Sequence, residues 1–178
     1  MTRNRYRVFE SEFPFLVTGT VVNWLDLLKP NEVKQIIIDS LRFLKQENSL
    51  KVFAFVIMQN HLHLIVSSNN LPGVMCRFKS FTAKKIIQYY KASGETHLIQ
   101  KLSAINPEYH SESKHQFWQE GYCPKKIIDF KTLQQKIDYI HFNPVRKGYV
   151  DSPEQWKWSS ARIFAGMDGM LEIDPIMA

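Results

Sequence analysis

Two histidines separated by a single residue lie inside an apolar, strand-forming run, Met58-Gln59-Asn60-His61-Leu62-His63-Leu64-Ile65-Val66. A β-strand sends alternate side chains to the same face, so His61 and His63 point one way while Leu62, Leu64 and Val66 point the other. Their Cα atoms are then roughly 7 Å apart, a spacing on which two rings can converge on one metal ion. Burying two imidazoles beside Leu and Ile with nothing to bind costs free energy. The pattern asks for a strand, a defined register and a metal site on one of its faces.

The 178 residues suit a single domain, 1–178, with a sizeable core. A hydrophobic fraction of 44% and a charged fraction of 22% are those of a soluble globular protein. The longest apolar runs, such as Val52 to Met58, are too short to span a membrane. The N-terminal stretch carries Arg3, Arg5 and Arg7 but no apolar signal segment, so the expected location is the cytoplasm. Cys76 and Cys123 are far apart and in no CxxC arrangement, which argues against a disulfide framework.

A net charge of +6 decides little alone, but the basic residues cluster. Besides the N-terminal arginines there are Arg77, Lys79, Lys84 and Lys85, then Lys125 and Lys126, then Arg146 and Lys147. Such clusters suit a polyanion whose phosphates need neutralising, and equally suit ordinary solvated faces.

Phe13 to Asn23 is rich in β-branched and aromatic residues and reads as a strand. Pro30 opens a helix to about Asn48, with Val33, Ile36, Ile37, Leu41 and Leu44 at helical spacing. Lys51 to Met58 and His61 to Ser67 form a hairpin across a Gln59-Asn60 turn. Pro72 starts a second helix to about Lys91, with Val74, Phe78, Phe81, Ile86 and Ile87 as its buried stripe and basic residues on the other side. Residues 93–114 are polar and poorly periodic and read as a variable insertion. Gln116 to Gly121 reads as a fourth strand, and Asp129 caps a third long helix that reaches Phe142 and stops at Pro144. In the C-terminal extension, 150–178, Trp156 and Trp158 pack back on the core. This order is that of a split βαβ, ferredoxin-like α+β fold: an antiparallel sheet with helices on one face and the other face open to ligands.

The third helix carries Phe130, Leu133, Ile137 and Ile140 as a docking stripe, and Tyr139 and Asn143 one turn apart on a shared face. A phenol and a carboxamide so placed suit a nucleophile and a metal ligand, though such residues near a helix end more often pack and cap.

Four segments then stand in collinear order: His61-Leu62-His63 after a Met-x-Asn turn, Phe-Trp-Gln-Glu-Gly-Tyr at 117–122, Asp-Tyr-Ile-His-Phe-Asn-Pro-Val-Arg-Lys-Gly at 138–148, and Trp-Lys-Trp-Ser-Ser-Ala at 156–161. Together they resemble the single-tyrosine HUH transposases, and within them the REP-associated tyrosine transposases, from about Tyr6 to Ala165. The resemblance implies an HUH-type ferredoxin-like fold with His61 and His63 as metal ligands, Tyr139 as nucleophile and Asn143 at the third ligand position. Relatives often carry Gln there, one methylene longer. His141 projects from a different helix face and is left out of the site.

What the resemblance implies in function is a DNA transposase, an endonuclease that cleaves and rejoins single-stranded, hairpin-containing DNA. Tyr139 would attack a phosphodiester to leave a 5′-phosphotyrosine and a free 3′-OH. Two imidazoles and an amide oxygen suit Mg²⁺ or Mn²⁺; zinc suits the histidines, but the cysteines show no ligand spacing. Arg77, Lys79, Lys84, Lys85, Lys125, Lys126, Arg146 and Lys147 are candidate DNA-backbone contacts, with Trp118 or Tyr122 to stack on bases and Arg3, Arg5 and Arg7 as a basic arm. The alternative is a domesticated, non-cleaving hairpin-DNA-binding regulator. An RNA-binding module is disfavoured, because no Gly-aromatic RNA-binding strand signature is present. Whether the protein is a monomer or a homodimer, with the tyrosine acting in cis or in trans, stays open in the sequence.

Overall fold

The computed structural model describes residues 14–105, 116–121 and 123–176. Strand β1 (Phe15–Thr20) leads through a short 3₁₀ turn (Val22–Trp24) into helix α1 (Asn31–Gln46). The hairpin β2 (Lys51–Ile57) and β3 (His61–Ser67) follows, then α2 (Leu71–Ala92) and α3 (Thr96–Ile105). A two-residue β4 (Lys125–Lys126), helix α4 (Phe130–His141) and the short helices α5 (Asn143–Arg146) and α6 (Ala161–Phe164) complete the chain. The sheet has four strands in the order β2-β3-β1-β4, every neighbouring pair antiparallel. That is the ferredoxin-like α+β arrangement, with the His-x-His strand in the interior of the sheet. No helix among the described residues is long and apolar enough to cross a membrane.

Alternation along β3 sorts the interior into two layers. Leu62, Leu64 and Val66 join Val17 of β1, Val52 and Phe55 of β2, and the buried stripes of α1 and α2. Ile65 joins Leu16, Ala54, Val56 and Met58, together with Leu133, Ile137 and Ile140 of α4. The second face is therefore not wholly open: α4 lies against it, and His61 and His63 share that face beside the helix.

The elements begin and end for local reasons. Asn70 caps α2 by accepting from the Gly73 N–H, and Asp129 caps α4 by accepting from the Thr132 N–H at 2.7 Å. After α1, Asn48 takes the left-handed conformation (φ 53°) common just past a helix end.

Several sequence expectations are corrected. Phe130 and Phe81 are exposed rather than docked. Phe81 instead borders an apolar groove with Phe43, beneath the Lys85 ammonium. The stretch 93–114 is not without structure, for α3 occupies its first part and buries Leu102 in the core; 106–114 lie outside the described residues. Gln116–Gly121 makes only a single bridge, Trp118 with Val21, and the fourth strand comes later, at Lys125–Lys126. The reason is local: Gly121 turns at φ +93° and Pro124 has no N–H to give a ladder, so pairing with β1 is interrupted and resumes beyond them.

The C-terminal extension has a definite job. Strand β2 is a sheet edge, with unpaired backbone groups that invite non-native pairing. Here the Ile57 N–H donates to Trp158 O, the Ser160 N–H to Phe55 O, and the Asp174 N–H to Val52 O. The indole of Trp156 donates to Ile57 O, and the Asp174 carboxylate accepts from the Val52 N–H. Ser160 Oγ accepts from the Phe55 N–H at 2.9 Å, lies 3.2 Å from Phe55 O, and meets His141 Nε2 at 2.8 Å. One hydroxyl thus ties the edge strand to α4. Ser160→Ala strands a buried N–H and a buried imidazole together, and is expected to cost about 2–4 kcal/mol, measured as a loss of stability in urea. A loss below about 0.5 kcal/mol would show that the edge is held by backbone pairing alone.

Candidate active site

His61 and His63 enter the site from β3 with their ring centroids 5.0 Å apart and both side chains buried. Each ring is held through Nδ1: His61 by Asn60 Oδ1 at 2.7 Å, and His63 by Thr18 Oγ1 at 2.8 Å, across the β1–β3 register. The Asn60 amide is itself fixed, because its NH₂ donates to Trp24 O at 3.3 Å and to Asp26 Oδ1 at 3.0 Å. Its oxygen must then face His61, which can only donate, so the proton sits on Nδ1 and the lone pair on Nε2. A metal-binding histidine is usually oriented in this way, its second nitrogen donating to a fixed acceptor. The turn that brings Trp24 here is strained: Asn23 and Trp24 both have positive φ (51° and 56°), a conformation that costs a bulky residue of order 1–3 kcal/mol.

Tyr139 meets the pair from α4. It is 45% exposed, and its ring centroid lies 5.8 Å from that of His63. Arg146 clamps the phenol: its Cζ stands 4.8 Å over the ring, and Nη1 donates to Tyr139 O at 3.1 Å. Asn143, one turn on, is buried with its Nδ2 unpartnered, the one such buried side-chain atom among the described residues. Helix α4 ends at His141 with Phe142 as its C-cap, as expected, and Pro144 opens a separate short helix rather than a loop. Pro144 occupies the first turn of α5, where a missing N–H costs nothing, and that helix runs to Arg146 before Gly148 turns away at φ +69°.

Between tyrosine and strand lies a cavity of about 160 Å³, lined by Leu16, Thr18, His63, Cys123, Lys125, Lys136 and Tyr139. The proposed cations divide around it. Lys125 pairs with Leu16 and shares its face, whereas Lys126 pairs with Phe15 and faces the other way. Arg146 is on the tyrosine, and Lys147 is near enough to His61 to act on its charge. Arg77, Lys79, Lys84 and Lys85 sit on α2, across the sheet from the histidines, and Arg77 is paired with Glu47 at 2.8 Å. Lys136, one turn before Tyr139, was missed by the sequence reading; its i, i−3 spacing to the tyrosine was the available signal. Trp118 is no stacking surface, because it is buried and its indole donates to Thr82 Oγ1 at 3.1 Å. Tyr122, Arg3, Arg5 and Arg7 lie outside the described residues.

Burial, helped by the Lys147 charge, pushes the His61 imidazolium down to about 4. Burial and the neighbouring His61 push His63 to about 3, and burial pushes His141 to about 4. All three rings are neutral at pH 7, the form that binds a metal. No three His, Cys, Asp or Glu side chains converge among the described residues. A third side-chain ligand to a cation held by the histidine pair would have to be of another type, and the buried Asn143 amide could serve only through Oδ1, since its unpartnered Nδ2 is a donor. The same shifts set the acid stability of the metal-free protein. An unfolded histidine titrates near 6.5, above these folded values, so the unfolded chain takes up protons that the folded one excludes. The histidines' contribution is complete above pH 6.5 and is lost as pH falls toward 4. The urea midpoint is expected to hold from pH 8 to 6.5, then drop steeply by pH 4.5. His141→Gln should flatten that slope, and an unchanged slope would count against a neutral buried His141.

Fold and site together define a ferredoxin-like α+β domain, with a His-x-His strand and a tyrosine-bearing helix on one face of the sheet. No family model matches the chain. The chain is similar, at 28% identity over 108 residues, to a Haemophilus influenzae protein named as a REP-associated tyrosine transposase. The match takes in 60% of this chain and 56% of that protein, little more than half of its length. A solved structure of a REP-associated tyrosine transposase bound to a REP hairpin has the same fold, with a TM-score of 0.62 at 17% identity. That likeness covers 100% of this chain and 94% of the other. The resemblance to the REP-associated tyrosine transposases thus stands on sequence and on fold.

Proposed function

We propose that this protein is a metal-dependent DNA transposase that cuts and rejoins single-stranded DNA beside a hairpin, using Tyr139 as nucleophile. The observation that carries the reading is the convergence of an exposed tyrosine, the neutral His63 and two lysines on one cavity, with the His61 ring 5.0 Å behind that of His63. A site for structure alone needs no exposed phenol there. The hairpin substrate rests on the related structure, which is bound to one.

In this reading Tyr139 Oη attacks the scissile phosphorus, the P–O3′ bond breaks, and the 3′ oxygen leaves and takes up a proton. The product is a 5′-phosphotyrosine, whose retained bond energy lets a later 3′-OH reseal the strand without ATP. Arg146 fixes the ring for in-line approach. Lys125 and Lys136 set positive charge on the cavity wall, where negative charge grows on the phosphate oxygens. His61, His63 and Asn143 would hold Mg²⁺ or Mn²⁺, which when bound polarises the phosphate and stabilises the leaving oxygen. The protein's own part is to present Nε2 of His61 as a neutral lone pair through the Asn60 bond.

The test is a labelled single-stranded hairpin oligonucleotide from the DNA flanking the gene, incubated with Mg²⁺ or Mn²⁺ and run on a denaturing gel. A covalent adduct is expected that disappears in Tyr139→Phe, in His61→Ala and with chelator. Lys136→Ala should slow its formation on the order of 100-fold. Tight hairpin binding with no adduct in any metal would establish the non-cleaving regulator instead. Asn60→Ala should weaken metal affinity about 10- to 100-fold, read by titrating Mn²⁺ against the paramagnetic relaxation of water. Unchanged affinity would remove Asn60 from the site.

A further inference from the structure

Trp24 is the most exposed tryptophan among the described residues, at 57%, and its backbone is tied into the turn beside the histidines. Its indole stands edge-on to His61 at 5.6 Å between centroids. Its carbonyl and Asp26 hold the same Asn60 amide that orients His61. The Val21 N–H donates to Asn60 O and the Leu28 N–H to Gln59 O, which tie both ends of the turn to the hairpin bearing the histidines. Asn23 and Trp24 are two successive non-glycine residues at positive φ, and the turn they make carries the ring at the surface. Lys147 is near enough to His61 for its charge to act on that ring.

We propose that Trp24 is a nucleobase-stacking platform, taking the unpaired base next to the scissile phosphate. The inference rests on the function proposed above and adds a subsite to it. A single-stranded base is a flat π surface that a rigid, exposed indole recognises whatever its identity. A cation at the adjoining rim suits the phosphate that follows such a base. Trp24 takes the stacking part that the buried Trp118 cannot play. Because the indole and His61 share one hydrogen-bonded turn, a stacked base would be held at a fixed distance from the cleavage point.

The experiment uses the full chain and a single-stranded hairpin oligonucleotide, with and without an abasic site at the nucleotide next to the cleavage position. Tryptophan fluorescence reports stacking, and the covalent adduct reports cleavage. Trp24→Gly is the main variant, because glycine accepts φ 56° without strain and keeps the fold. We expect it to abolish most of the fluorescence quenching and to weaken binding about 10-fold. Trp24→Phe should recover part of that affinity. On the abasic oligonucleotide the wild type and Trp24→Gly should bind alike, since the base that the indole would meet is gone. If wild type and Trp24→Gly bind the intact oligonucleotide equally and form adduct equally, the stacking platform is overturned while the transposase reading stands. If neither binds single-stranded DNA, both fall.

Discussion

Everything in this molecule depends on the two-residue period of β3. The strand is buried on both faces, so its side chains must alternate between two packed layers. Leu62, Leu64 and Val66 complete the layer against α1 and α2, while Ile65 anchors the layer against α4. A slip of one residue would send the leucines toward the tyrosine helix and bury both imidazoles under α1 and α2. The apolar packing that stabilises the fold is thus the same interaction that aims the histidines. Thr18 and Val56, opposite His63 on the two neighbouring strands, close its flanks and leave one direction for the ring to face.

The electrostatics follow from that placement. Two imidazoles driven into a mostly apolar layer cannot stay charged, and each spends one nitrogen on a fixed polar partner. The remaining nitrogens are what a metal or a substrate can use. Around this neutral centre the cations are mounted on other elements: Lys125 on an edge strand, Lys136 on α4, Arg146 on α5 and Lys147 just beyond. A neutral floor with a positive rim suits a phosphodiester better than a carboxylate-lined pocket would, because nothing on the described floor repels the anion. The α2 cations are a separate surface and cannot reach the same phosphate.

How much of this was legible in the sequence depended on the range of the interaction. The His-x-His strand and the Asp129 cap are local consequences of period and hydrogen-bond chemistry, and they read directly. The composition of α2 could not show which face its lysines would take, since that depends on which side of the sheet the helix crosses. Trp118 looked like a stacking surface because its environment is made by Thr82, far away in sequence. The fourth strand was misplaced because aromatic residues at 117 and 118 imitate a strand, whereas Lys125 and Lys126 have no strand propensity and pair only because β1 is adjacent. The role of Ser159 and Ser160 in covering the β2 edge is likewise tertiary and left only a short motif behind.

Trp24 shows the converse, a residue that local rules argue against. Three non-glycine residues have positive φ among the described residues. Asn48 is explained at once by its place after α1, where a left-handed residue lets the last carbonyls be capped. Asn23 is a side chain that tolerates the conformation. A tryptophan is not, and the hydrogen bonds from Asn60, Val21 and Leu28 must hold it there against a cost of order 1–3 kcal/mol. The exposed indole adds little apolar burial to offset that cost. The chain keeps an exposed aromatic ring in a strained turn beside His61, and it is that combination of strain and exposure that the stacking proposal accounts for.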